Sequence, residues 1–263
     1  MPGRGSSRGL SDVVAFVLMF GIIITSVGLV ATFGLTELEE FDRDQKLNNA
    51  DRTFELIARS LDEIEESQAT VRTDAIDLGG GSITVSPSSS VTVSVTGSGT
   101  SYTETFPLNT LVYESEDTMI GYENGATYRV RAQSDSGIIN HEPGLICSDG
   151  TAVLSFVTVQ GQEDRALGGS GTFRITGRLT NSTLLYPVAR SGAGNASAAD
   201  QVEMTYTFSG ESRAREWANH FDRSQGDWIV TSETDTSVTV RCGDSDDLGQ
   251  VYLRRSVITL AFS

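Results

Sequence analysis

The stretch that decides the fold is Val13–Leu35, VVAFVLMFGIIITSVGLVATFGL, which contains no charged side chain. As an α-helix that rises about 1.5 Å per residue, it would extend roughly 34 Å, close to the ~30 Å hydrocarbon core of a bilayer. Valine, isoleucine, leucine and phenylalanine occupy 14 of its positions, and each of them favours insertion. The stretch therefore predicts a membrane-spanning helix.

The charges that flank this helix predict its orientation. Arg4 and Arg8 precede the apolar run, whereas Glu37 and Glu39 follow it. Because arginine is retained on the cytoplasmic side, we expect a cytoplasmic N-terminus and an extracellular remainder. A secretory signal is a competing interpretation, but its apolar part is only about 7–15 residues long and is followed by a small-residue cleavage site, and no such site follows here. An uncleaved membrane anchor stays open.

A short motif stands directly before the apolar run. The residues Arg8-Gly9-Leu10-Ser11-Asp12 resemble the class III signal of archaeal type IV pilin-like proteins. In that family a prepilin peptidase cuts after the glycine, and the helix stays on the mature protein. The resemblance implies a leader at residues 1–9, with Arg8, Gly9 and Leu10 as the processing site.

The resemblance extends beyond the signal. Arg8–Gly34 is similar to a group of haloarchaeal pilin-like envelope proteins of unassigned role. Their extracellular parts also carry the pattern found here at Leu111–Glu114 (LVYE) and Tyr122–Arg129 (YENGATYR). The resemblance implies a major or minor subunit of a surface filament that acts in adhesion or cell contact. Its implied partners are the membrane, the prepilin peptidase and other pilin-like subunits.

Asp12 is the acidic residue at the start of the helix. Bacterial pilins place a glutamate near this point, but the corresponding position here is Val14. Cleavage after Gly9 would create an α-amino group that can pair with Asp12 of the same or a neighbouring helix, where low dielectric strengthens the pairing. The alternative is that Asp12 only marks the polar boundary of a membrane helix.

The helical pattern continues past the membrane segment. Apolar residues recur at spacings of three and four from Leu38 to Ile64, and charged residues fill the other face. Neither Gly nor Pro occurs between residues 36 and 78. After a membrane or filament-core helix at residues 10–35, we therefore expect an amphipathic helical stalk at residues 36–78. Its apolar stripe must be covered by the head or by another subunit.

The rest of the chain alternates apolar and Ser/Thr residues in short runs separated by turn sequences such as Asn124-Gly125 and Asp149-Gly150. This pattern predicts an extracellular, mainly β, sandwich-like head at residues 79–263, with one short helix near Glu211–Arg223. The predicted fold class is α+β, with a long N-terminal membrane-spanning helix and an amphipathic extension before the head.

Composition excludes some classes of function. The chain has 263 residues, a single lysine and a formal net charge of -16. Such acidity disfavours nucleic acid as a partner, because phosphates are bound by cations. It is typical of proteins from salt-loving archaea, and it predicts unfolding when molar salt is diluted, since unscreened like charges repel one another.

Four residues are candidates for covalent modification. Cys147 and Cys242 would both lie outside the cell, where disulfides persist, so we expect them to be bridged; two separate buried thiols are the alternative. Asn181 and Asn195 begin N-glycosylation sequons in turn-like, Ser-rich surroundings.

Motifs for catalysis are missing from the sequence. It contains no G-x-S-x-G, no phosphate-binding G-x-x-x-x-G-K-[ST] and no H-E-x-x-H. We expect His220 on a helix surface and Trp217 and Phe221 in the core. The acidic run Asp244–Asp247 departs from a calcium loop and is better interpreted as a solvated hairpin.

We therefore predict no enzyme and no catalytic, cofactor or metal residue. A paired-carboxylate glycosidase stays a formal alternative, because acidic residues are numerous. The main alternative to a filament subunit is a monomeric membrane-anchored protein whose β head binds a ligand.

Overall fold

The computed structural model describes residues 7–97, 100–131, 137–162, 166–187, 198–209, 211–243 and 248–263. These residues form two helices, α1 (Ser7–Glu65) and α2 (Glu211–Arg223), and sixteen strands. The strands are β1 (Val71–Asp77), β2 (Ser82–Ser86), β3 (Ser89–Gly97), β4 (Thr100–Pro107), β5 (Thr110–Ser115), β6 (Thr118–Glu123), β7 (Ala126–Arg131), β8 (Gly137–His141), β9 (Leu145–Ser148), β10 (Thr151–Gly161), β11 (Leu167–Gly168), β12 (Thr172–Tyr186), β13 (Gln201–Phe208), β14 (Trp228–Glu233), β15 (Ser237–Cys242) and β16 (Gln250–Phe262).

The strands assemble into three sheets. Sheet 1 has the order β1-β12-β16-β10-β9, sheet 2 the order β11-β2-β5-β6-β7-β8, and sheet 3 the order β14-β15-β13-β3-β4. All paired strands are antiparallel except β10 and β16, which run parallel. Although β2 and β3 are separated only by Pro87 and Ser88, they belong to different sheets. The loop at Pro87 therefore carries the chain from sheet 2 to sheet 3.

The chain divides into two compact units, Met1–Asn48 and Asn49–Ser263. The first contains the apolar part of α1. The second, which we call the head, contains the last turns of α1, α2 and every strand named above. This composition confirms a mixed, mainly β fold with a long N-terminal helix, and α2 spans the residues predicted for it.

The prediction of a helical stalk up to residue 78 is wrong. Helix α1 ends at Glu65, and residues 71–77 form β1, which pairs with β12. The helix stops because Ser67 adopts a left-handed conformation with φ of 64°. The Ser67 N–H then donates to the Ile64 carbonyl and the Gln68 N–H to the Glu63 carbonyl, as in a Schellman motif. Such a stop needs neither glycine nor proline.

The predicted start of the head at residue 79 is also wrong, because α1 from Asn49 onwards belongs to it. The apolar face of these last turns is at most 2% exposed in each of its side chains. Burial of that face stabilises the head by roughly 1.5–3 kcal/mol for each large side chain. The head itself thus covers this part of the apolar stripe, whose residues are Ala50, Phe54, Ile57, Ala58, Leu61 and Ile64.

Sheet 3 has one face in the main core and one face towards solvent. On the inner face, the Tyr206 ring stacks on Trp217 of α2 at 4.8 Å between centroids, and Phe221 packs edge-on against Trp228 at 5.3 Å. Trp217 and Phe221 are each 1% exposed, which confirms their predicted place in the core. The outer face is formed by serine and threonine along β3 and by Gln201, Glu203, Thr205 and Thr207 along β13, which alternate with the buried residues.

Candidate functional site

The apolar segment of α1 is the first candidate site. Within the part of the chain that the structure describes, one helical segment has the length and composition of a membrane span, Asp12–Val30. Its mean hydropathy is 2.7 and none of it is buried. Side chains such as Phe16 and Val30 are 69% and 72% exposed. A surface this apolar suits contact with lipid or with another apolar helix.

Two hydroxyls in or just after this segment donate within the helix. The Ser26 hydroxyl donates to the Ile23 carbonyl at 2.9 Å, and the Thr32 hydroxyl donates to the Gly28 carbonyl at 2.8 Å. Internal hydrogen bonds of this kind are what a hydrocarbon environment requires. At Gly21 and Gly28 an added Cβ would meet no atom within 4 Å, so both positions leave the helix backbone accessible to a neighbour.

The predicted processing site also lies in α1. Arg8, Gly9 and Leu10 are helical, and the structure describes only their backbone. Asp12 is exposed at the beginning of the apolar segment. Its position is compatible both with pairing to a new N-terminus and with a polar boundary.

The second candidate site is the groove in the head that holds the buried face of α1 from Ala50 to Ile64, and we call this groove the seat of α1. Gly177 of β12 makes this close approach possible, because an added Cβ would lie 2.9 Å from Leu61 Cδ2 and 3.2 Å from Ile64 Cδ1. A Cβ at this position would force the ends of the Leu61 and Ile64 side chains to shift. The apolar face of the helix is therefore fitted to a groove whose floor includes a glycine.

Charged side chains border this seat. The Arg129 guanidinium donates to Asp51 at 2.6 Å, and burial raises the pKa of the Asp51 carboxyl although Arg129 opposes the shift. Glu65 pairs with Arg254 and accepts a hydrogen bond from the Ser155 hydroxyl at 2.7 Å. The ion pairs connect α1 to sheets 1 and 2, so the helix is held by charge as well as by burial.

His141 adds a titratable contact to the same seat. Its Nε2 lies 2.7 Å from Asp62 Oδ2, and this hydrogen bond raises the pKa of the imidazole against the opposing effect of burial. The other histidine, His220, is half-buried, with its ring 5.5 Å from Phe221 and 6.1 Å from Trp217. The expected surface position of His220 holds for the part of the side chain that stays exposed, while its ring packs beside the aromatic core. Burial lowers its pKa.

Cys147 and Cys242 form a disulfide that connects β9 of sheet 1 to β15 of sheet 3. Both cysteines are at most 2% exposed. The bridge closes a loop with a sequence separation of 95, a length at which the chain-entropy model gives a stabilisation of roughly 4–5 kcal/mol.

Of the two predicted sequons, the structure describes one. Asn181 lies on β12 with an exposed side chain, and its Oδ1 accepts a hydrogen bond from the Thr183 hydroxyl at 2.7 Å. The Leu179 N–H still donates to the Thr70 carbonyl, but beyond it no described strand pairs with β12 on the β1 side. Among the described residues, the sequon therefore lies on an open sheet edge. Asn195 lies outside the described residues, as does the acidic run Asp244–Asp247.

Arg213 is a buried cation that sequence reasoning missed. Its guanidinium donates to the Ser88 carbonyl at 2.9 Å, to the Ser209 hydroxyl at 3.1 Å and to the Thr110 hydroxyl at 3.3 Å. It also lies 3.5 Å from Glu123, which is fully buried and whose carboxyl pKa is raised by that burial. The network connects α2 to sheet 2 and to the loop between β2 and β3. An arginine in the first turn of a helix carries no sequence signal for such a role.

A cavity of about 520 Å³ lies beside this network on sheet 2. The Tyr128 ring lies across Gly121, where an added Cβ would be only 2.3 Å from Tyr128 Cζ. The volume of the cavity is within the range of small-molecule sites. Arg213 and the apolar Val112, Met119 and Val130 line the cavity together with the acidic Glu114, Glu116 and Asp117. Among the described residues, no group of three or more His, Cys, Asp or Glu is arranged to hold a metal.

Comparison with known proteins identifies the family of this chain but assigns no activity to it. Residues 8–260 match a family of unknown function, DUF7289, and the chain belongs to that family. The match covers both the apolar helix and the head, so the two occur together as one family architecture. No curated protein and no solved structure matches the chain.

Proposed function

We propose that this chain is a type IV pilin-like subunit of a cell-surface filament, with the head outside the cell in surface adhesion or cell contact. A prepilin peptidase would remove residues 1–9 between Gly9 and Leu10. The retained helix would lie in the membrane before assembly and against other pilin-like subunits after it.

One observation carries this proposal, the exposed apolar segment Asp12–Val30 directly after the signal-like motif. An ordinary anchor needs the apolar length but not the glycine before it. Accessible backbone at Gly21 and Gly28 supports close packing between copies. Asp12, two positions after the new N-terminus, supplies a carboxylate that can pair with the α-amino group of the same or a neighbouring subunit.

The seat of α1 in the head supports the same proposal. A filament subunit must transmit load between its core helix and its head. The buried face from Ala50 to Ile64 and the Asp51–Arg129 and Glu65–Arg254 pairs make the end of α1 part of the head's own core. Detaching it would expose that face and leave buried charges unpaired, which is costly.

A second candidate function is a monomeric membrane-anchored binding protein. The cavity on sheet 2 favours it, because a space of about 520 Å³ with both apolar and acidic lining suits a small ligand. The two candidates differ in processing and in assembly, so one experiment separates them.

That experiment uses the full chain in its natural host. We expect mass spectrometry of the mature protein to find Leu10 at the N-terminus and to find the protein in sheared surface filaments. Gly9→Val should block cleavage and leave the protein in the membrane fraction, whereas Gly5→Val, outside the motif, should be processed normally. An intact Met1 with all protein extracted by detergent would refute the filament subunit and leave the monomeric anchor.

Glycosylation is a separate proposal for Asn181. Its exposed side chain on the open edge of β12 is accessible to a transferase, and a glycan there would block pairing with another strand. Intact-mass measurement should show a glycan that disappears in Asn181→Gln. An unmodified peptide in the mature protein would contradict it.

A further inference from the structure

The outer face of sheet 3 is built from hydroxyl side chains in register. One row crosses all five strands, and each residue is the ladder partner of the next: Ser232, Thr239, Thr205, Thr92 and Thr105. Side chains of one face lie about 4.8 Å apart across strands and roughly 6.6 Å apart along them. The face is therefore a regular array.

The hydroxyls of this array bond to one another. Thr92 and Thr105 hydroxyls lie 2.8 Å apart, and those of Thr205 and Thr239 lie 3.0 Å apart. Each pair uses one hydroxyl proton internally and leaves the other for an external acceptor. Covering such a face costs less desolvation than covering isolated hydroxyls, because part of the hydrogen bonding is retained within the sheet.

The face is nearly free of charge on a strongly acidic chain. Among the outward-facing positions of the five strands that the structure describes, the charged residues are Glu203 and Arg241, since Glu233 of β14 is the ladder partner of the buried Val238 on the other face. They lie directly opposite each other in the β13–β15 register, so their charges cancel. The chain as a whole carries a formal charge of -16. Since salt screens charges beyond about 8 Å at physiological ionic strength, this face can approach another acidic surface without strong repulsion.

We propose that the outer face of sheet 3 binds the same face of a second copy of this chain. A two-fold axis parallel to the strands and midway between Glu203 and Arg241 would set each Glu203 against the partner's Arg241. The same operation sets Thr205 against the partner's Thr239. The face is thus self-complementary, as a two-fold interface requires. The inference rests on the proposed function for its setting, in which heads meet on a surface, but it is tested independently of filaments.

The size of the face suits a weak, repeated contact. With the axis between β13 and β15, four strands overlap, about 19 Å across and roughly 26 Å along the eight residues of β13. That gives about 500 Å² per copy and about 1,000 Å² in total, the lower limit for a specific interface. Two twisted sheets packed in this way cross at about 30°.

The test exchanges the two charges between molecules. Full-length Glu203→Arg and Arg241→Glu are each purified in detergent, and sedimentation gives the dissociation constant of the dimer. Each variant alone sets like charges against each other at two places, so we expect at least about tenfold weaker dimerisation than in the wild type. An equimolar mixture of the two variants should restore the dimer, since every contact is again between Glu and Arg. Neither variant has an opposite-charge pair at positions 203 and 241 within its own chain, so pairing within one chain cannot explain recovery of the dimer in the mixture.

Two further variants keep the test decisive if a charge variant folds poorly. Thr205→Glu places a charge on the proposed interface, against the partner's Thr239, and should weaken dimerisation at least about tenfold. Thr73→Glu places the same charge in the matching Thr73–Thr176 pair of sheet 1 and should leave the dimer intact.

Two results would overturn the proposed interface: a wild type that stays monomeric at about 100 µM, or a mixture no better than the separate variants. Filament recovery from cells reports on the proposed function alone, so a dimer without filaments would refute the filament subunit and leave this interface standing.

Discussion

Removal of one buried ring tests whether the end of α1 belongs to the head. Phe54 is 0% exposed in the groove between α1 and the sheets. Phe54→Ala removes that ring from a close-packed site, and such truncations cost about 3–5 kcal/mol in lost transfer energy and cavity formation. For a unit of this size, each kcal/mol lowers the melting temperature by roughly 2–4 °C. We therefore expect a drop of about 6–20 °C.

Leu56 supplies the matched control on the same helix. It is 56% exposed, so Leu56→Ala should change the free energy of unfolding by no more than about 0.5 kcal/mol. Thermal and urea unfolding of the full chain in detergent, followed by the near-ultraviolet circular dichroism of the head aromatics, measures both variants. If Phe54→Ala lies within about 1 kcal/mol of Leu56→Ala, α1 is not part of the head's core and the argument fails.

Three other perturbations have expected outcomes. The pKa of His141 is raised in the folded head, so the His141–Asp62 contact contributes fully to the free energy of unfolding below the unfolded pKa near 6.5, and this contribution is lost as pH rises through the folded pKa. In urea unfolding between about pH 6 and 8, His141→Gln should therefore remove this decrease in stability with rising pH. A variant with the same pH dependence as the wild type would contradict the prediction. Reducing the Cys147–Cys242 disulfide should lower the free energy of unfolding by about 2–5 kcal/mol. A melting curve that does not shift after reduction verified by mass spectrometry would count against this prediction. Gly121→Ala should lower the free energy of unfolding by about 1–3 kcal/mol, because the Tyr128 ring occupies the space that a Cβ needs. Gly171→Ala is the control and should be close to neutral, because the nearest atom to an added Cβ there is 3.9 Å away. Equal melting temperatures of the two variants would refute this prediction.

Local patterns were enough to predict some elements. The uncharged apolar run at Val13–Leu35 predicts a helix by its length and composition, and α2 shows its apolar side at Ala214, Trp217 and Phe221. Glycine turns such as Asn124-Gly125 and Asp149-Gly150 adopt the left-handed conformations that their residues favour. In each case the deciding interaction lies within a few residues along the chain.

The end of α1 was not predictable in the same way. Ser67 takes a conformation that serine rarely adopts, because β1 must turn back to pair with β12 about a hundred residues later. Short strands such as β8 and β9 depend likewise on their neighbours in the sheet.

The sequence by itself determined the apolar helix, the mainly β head, the acidic composition and the presence of two cysteines in the β-rich part, because these follow from composition and local periodicity. Only the tertiary structure decided that Asp51, Asp62 and Glu65 would meet partners in the sheets, that Arg213 would be buried beside Glu123, and that the hydroxyls of sheet 3 would lie in one row. The physical reason is that strand order and register bring together residues far apart in sequence, and the pairing energies that select one register over another are properties of the whole fold.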